Sequence, residues 1–65
     1  MDTKYRQGDV VYLLDDDHLI EEAVVVMTIA GFVTIRFTKR DGGTRVRAYH
    51  LDSTREEAEN ARNNL

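Results

Sequence analysis

Five basic side chains, Arg36, Lys39, Arg40, Arg45 and Arg47, fall within twelve residues, and with Asp41 among them that stretch carries a net charge of +4. Guanidinium groups at this density suit anions, either phosphates or the carboxylates of another protein, because their forked donors engage such groups by charge and by paired hydrogen bonds. Tyr49 follows two residues after Arg47 and supplies a ring able to stack on a base or ribose. The segment "DDDHLIEE" is the counterpart, with Asp15, Asp16, Asp17, Glu21 and Glu22 giving five negative charges in eight residues. The whole chain sums to −3, so any pull on a polyanion is local rather than global.

Other chemistry is poorly supplied. Nucleophilic catalysis needs a nucleophile, a base and an orienting group. Ser53 is the only serine and stands where a helix cap is wanted; His50 lies three residues before it. The residue types therefore point away from an enzyme. Hard cations favour oxygen clusters such as that around His18. However, the calcium-loop pattern with its central Gly and distal Glu is missing, and no His pair occurs at helical spacing, so a solvated acidic turn accounts for the segment. Gly42 and Gly43 precede no helix, which removes the dipole a phosphate loop relies on. No metal, cofactor or small-molecule substrate is expected.

Sixty-five residues make one small domain with one modest core. No Cys is present to form a disulfide or thiolate site, a composition that fits a reducing cytoplasm. The polar start "MDTKYRQGD" lacks the apolar stretch of a secretory signal, and the longest apolar runs are far short of a membrane span. Neither a membrane nor a secretory location is expected.

The elements follow from periodicity. "GDVVYLL" (8–14) predicts a strand after a Gly-Asp turn, and "AVVVMTIAG" (23–31) a second. "FVTIRFTKR" alternates, with Val33, Ile35 and Phe37 on one face and Thr34, Arg36 and Thr38 on the other. "TRVRAYHL" alternates too, with Val46 and Ala48 inward and Arg45, Arg47 and Tyr49 outward, which leaves His50 on the core parity. Asp41-Gly42-Gly43 between these runs predicts a hairpin turning at Asp41-Gly42 or at Gly42-Gly43. Both registers keep the apolar face intact and gather Arg36, Arg45, Arg47 and Tyr49 on the opposite one. "LDSTREEAENARNNL" predicts a C-terminal helix over about residues 54–64, capped by Ser53 or Thr54 with Glu56 or Glu57 closing a capping box. Its thin apolar stripe is Ala58, Ala61 and Leu65.

The segments "QGDVVY", "AGFVTIRF", "DGGTRVRAYHL" and "TREEAE", covering most of residues 7–59, resemble the Src-homology-3-like small barrels. The pattern is also similar to small barrel proteins of bacterial mobile elements. The resemblance implies a mainly β fold, a small barrel of four to five antiparallel strands over about residues 5–51 with a short C-terminal α-helix. It further implies a non-catalytic binding module.

Two partner classes follow. The first is nucleic acid, with Arg36, Arg45 and Arg47 meeting phosphates, Lys39 and Arg40 extending the patch, and Tyr49 stacking. The second is a protein partner or a second copy of the chain. If Ala30-Gly31 is a tight turn, Glu21 falls opposite Arg40 and Val25 opposite Arg36, so Val25 and Met27 form an apolar strip rimmed by arginines. That register also admits a plainer outcome, in which the arginines balance the acidic segment of their own chain.

Overall fold

The computed structural model describes residues 4–64. Four antiparallel strands lie in sequence order: β1 (Val10–Leu14), β2 (Ile20–Ile29), β3 (Phe32–Phe37) and β4 (Gly43–Arg47). A single 3-10 turn (Ala48–His50) follows, then the helix α1 (Arg55–Asn63). The fold is thus mainly β with a C-terminal helix, as the alternation predicts. The sheet does not close into a barrel. Among the described residues, one isolated antiparallel bridge joins Asp52 to Tyr12 of β1.

Alternation sets the core. Val11, Leu13, Ala23, Val25, Val33 and Ile35 point to one side of the sheet, and Tyr5 and Leu51 join them. Phe37, Val46 and Ala48 pack against this cluster. Each fully buried Val or Ile contributes on the order of 1.5–3 kcal/mol of burial. The Tyr5 hydroxyl donates to the Leu51 carbonyl at 2.9 Å, so the one polar atom in that layer has a partner.

The β2–β3 turn is the two-residue Ala30-Gly31 connection, with φ of +52° and +84°. Such primed turns match the twist of the strands they join. The β-bulge in β2 decides the most. Val24 faces Arg36 and Val25 faces Ile35, but Met27 then faces Thr34, leaving Val26 as the extra residue. Val25 therefore turns into the core and is 1% exposed. The expected pairing of Val25 with Arg36 does not form; Val24 takes that place.

The β3–β4 hairpin also departs from both expected registers. Phe32 pairs with Arg47, Val33 with Val46, Thr34 with Arg45, Ile35 with Thr44 and Arg36 with Gly43. The Phe37 amide donates to the Gly42 carbonyl, so residues 38–41 form the loop. The two glycines have separate reasons. Gly42 adopts φ +103°, whereas a Cβ on Gly43 would fall inside contact distance of the Ile35 carbonyl oxygen. The register moved by an even number of residues, so the apolar face survived.

Thr54 caps α1, its Oγ1 accepting from the Glu57 amide at 3.1 Å, while the Glu57 carboxylate accepts from the Ser53 amide at 2.9 Å. Ala58 is fully buried and Ala61 exposed; Leu65 lies outside the described residues. The helix packs on β1 and β2. Among the described residues, no helix is long and apolar enough to cross a membrane.

Candidate interaction face

The face of the sheet turned away from the core is assembled by register. Its rows include Ile29, Phe32 and Arg47; Met27, Thr34 and Arg45; Val10, Val24 and Arg36 with Gly43 beyond; and, past these, Tyr12 with Glu22. The β3–β4 side of the face therefore carries Arg36, Arg45 and Arg47, and the β1–β2 side carries the apolar Val10, Val24, Met27 and Ile29, with Glu22 at its far end. Val10 is 47% exposed, Met27 46% and Ile29 56%, so this strip is open to solvent.

The ring of Phe32 sits beneath two of the cations. The Arg47 guanidinium carbon lies 4.2 Å from its centroid and that of Arg45 lies 5.6 Å away. A cation over an aromatic face is attracted by the ring quadrupole, so both arginines are partly ordered before any partner arrives. Like charges side by side repel, and the shared ring offsets part of that repulsion. Among the described residues neither Arg36, Arg45 nor Arg47 has an ion-pair partner.

The loop cations behave differently. Arg40 is the cation in the one ion pair among the described residues, donating from Nε to one carboxylate oxygen of Glu21 at 2.9 Å and from Nη2 to the other at 2.7 Å. Hydrogen bonding to Glu21 raises the already high pKa of Arg40, with the charge of Glu21 adding to it. Its guanidinium also lies 4.0 Å over the Phe37 ring. The internal balance between hairpin and acidic segment thus holds for Arg40. Lys39 is exposed in the same loop. On β2, Glu22 accepts from the Thr38 hydroxyl at 2.6 Å, a bond that holds its carboxyl below its ordinary value, with Lys39 and Arg55 adding attraction.

Comparison with protein-family models, with curated proteins and with solved structures finds no match.

Tyr49 and Val25 leave the face expected for them. β4 ends at Arg47, and the 3-10 turn swings Tyr49 away to line a shallow groove with Leu13, Leu14, Val46, His50, Asp52 and Ala61. Tyr49 is 79% exposed there and stacks on His50, with ring centroids 4.4 Å apart. His50 is exposed, not the core histidine that strand parity implied. Val25 is core, as described above. In their place stand Ile29, Val10 and Phe32. The outward parity of Phe32 is readable from its alternation with Val33, and that of Ile29 follows from its pairing with Phe32 across the Ala30-Gly31 turn.

The other candidate chemistry meets ordinary structure. One Asp15 carboxylate oxygen accepts from the Asp17 amide at 2.8 Å and the Leu19 amide at 2.9 Å, closing the β1–β2 turn. Among the described residues no group of three His, Asp or Glu side chains is arranged to hold a metal.

Proposed function

We propose that this chain is a non-enzymatic binding module that docks a protein partner through the outer face of its sheet. The observation that carries the reading is a set of half-exposed apolar side chains, Val10 on β1 with Met27 and Ile29 on β2, beside three arginines that lack internal carboxylate partners among the described residues. A protein surface bearing apolar groups next to carboxylates complements both sets at once. Arginines already stacked on Phe32 lose less freedom on binding. The architecture is that of a Src-homology-3-like barrel left open. Support comes from the 3-10 turn after β4 and the return of Asp52 to β1, which lie where a closing strand would run.

The test is affinity capture with the wild-type chain against a double variant, Ile29→Asp with Arg45→Glu, both checked for folding by circular dichroism. Proteins retained by the wild type and lost by the variant carry the reading. Identical recoveries from both, or none from either, sink it. Sedimentation at high concentration asks whether the partner is a second copy.

Nucleic acid is the second reading, favoured by the same three unpaired arginines. Stacking platforms for single strands use exposed rings; on this face Phe32 lies under guanidinium groups and the Tyr12 ring has the Arg55 guanidinium 5.6 Å from its centroid. Three phosphate contacts on duplex DNA give log K a slope of roughly −3 against log salt. No binding at low salt, or binding unchanged by Arg36→Ala with Arg47→Ala, removes this reading.

A further inference from the structure

The two edges of the sheet are not alike. On the β1 edge, Tyr12 and Asp52 exchange two backbone hydrogen bonds, of 2.9 and 2.8 Å, so the centre of that edge is occupied. Among the described residues, the β4 edge has no such cover. Its ladder with β3 is bounded by bonds from the Phe37 amide to the Gly42 carbonyl and from the Ala48 amide to the Gly31 carbonyl. Within the observed register these ends place Thr44 opposite Ile35 and Val46 opposite Val33 as the hydrogen-bonded pairs. The amides and carbonyls of Gly43, Arg45 and Arg47 then point the other way, outward from the sheet. No hydrogen bond engages them among the described residues.

We propose that this edge takes an extended acidic segment of a partner protein as an added strand. The proposal rests on the protein-docking reading and names its mode. An open row of backbone donors and acceptors is a template for strand addition, in which the main chain supplies affinity and alternate side chains supply specificity. Here the alternate side chains are Arg45 and Arg47 on the outer face and Thr44 and Val46 on the core side. A strand laid beside β4 sets its own residues about 5 Å from these. Carboxylates opposite the arginines, with β-branched apolar residues between them, satisfy both sides.

Charge also selects against the commonest competitor, a second copy. Antiparallel pairing along the full length of two β4 strands sets Arg45 against Arg45, and like charges directly opposite are destabilising. The arginines thus guard the edge against self-association while leaving it open to an acidic strand.

Amide exchange by nuclear magnetic resonance on the full chain reads this directly, with a synthetic peptide containing Glu-Val-Glu-Val-Glu as probe and Lys-Val-Lys-Val-Lys as control. In the free chain the Thr44 and Val46 amides are expected to exchange slowly and those of Arg45 and Arg47 fast. The acidic peptide is expected to slow Arg45 and Arg47 at least tenfold, and the basic peptide to leave them unchanged. Acidic-peptide binding that shifts Met27 and Ile29 without protecting those amides overturns the edge proposal and leaves face docking standing. No binding of the acidic peptide at millimolar concentration, while captured partners still depend on Ile29, has the same consequence. Arg45→Pro deletes one edge amide outside the β3 ladder and is expected to weaken binding at least fivefold beyond Arg45→Gln. Equal affinities for those two variants also overturn the proposal; should the proline variant unfold, the exchange measurement decides alone.

Discussion

The Arg47 guanidinium lies 4.2 Å above the ring of Phe32, its cross-strand neighbour, and Arg45 approaches the same ring at 5.6 Å. One aromatic side chain thus organises two of the three cations on the outer face. Phe32→Leu keeps most of the apolar area and removes the quadrupole. It is expected to destabilise the fold by about 0.5–1 kcal/mol in urea unfolding. It should also weaken any partner that engages Arg45 and Arg47, since both side chains become freer. Unchanged stability and unchanged arginine side-chain exchange would show that the ring orders nothing.

Ala30 holds φ at +52°, a left-handed conformation that an alanine Cβ disfavours. Asn and Gly tolerate it. Ala30→Asn or Ala30→Gly is therefore expected to raise stability by about 0.5–1 kcal/mol, measured as a higher urea midpoint with the slope unchanged. A lower midpoint contradicts the turn geometry.

Gly43 lies opposite Arg36, and the first carbon of any side chain there meets the Ile35 carbonyl oxygen. Gly43→Ala forces β3 and β4 apart at the start of the hairpin and is expected to destabilise by about 1–3 kcal/mol. Gly42→Ala is strained for another reason, its φ of +103°. Thermal unfolding of both variants checks this, and a neutral Gly43→Ala would refute the close approach.

The hydrogen bond from Thr38 holds the Glu22 carboxyl below its ordinary value of 4.5. A carboxyl depressed in the folded state binds fewer protons there than in the unfolded chain. Its contribution is therefore fully present above pH 4.5 and fades as the pH falls through the lower folded value. Thr38→Val is expected to return the Glu22 titration toward 4.5 and to flatten the acid limb of the stability profile. Side-chain carboxyl shifts followed against pH test this, and an unmoved titration counts against the hydrogen bond as the main cause.

Much was written in the residues themselves. Alternation through residues 32–37 separated Val33 and Ile35 from Phe32, Thr34 and Arg36, because successive side chains in a strand must point to opposite faces. The Ala30-Gly31 turn and the Thr54 cap were local matters, readable from residue type and spacing, whereas Glu21 meets Arg40 across the sheet in a register one residue away from the expected one. That parity placed Arg36, Arg45 and Arg47 on one side whatever the hairpin register, since even shifts leave it unchanged.

Tertiary structure decided what parity does not constrain. The single extra residue at Val26 reverses parity along β2, which buries Val25 while keeping Met27 and Ile29 outside. A bulge inserts one unpaired residue into a ladder whose partner strand is set only in the folded sheet, so alternation along β2 alone does not announce it. The hairpin turned at residues 38–41 because Thr38 stays bound to Glu22 on β2 and Gly43 alone fits against Ile35. The open sheet, and the swing of Tyr49 off the arginine face, depend on where Leu51 and Asp52 meet Tyr5 and Tyr12, contacts between residues some forty positions apart. Such long-range pairings are chosen by the whole chain's packing, and only the folded molecule shows which were made.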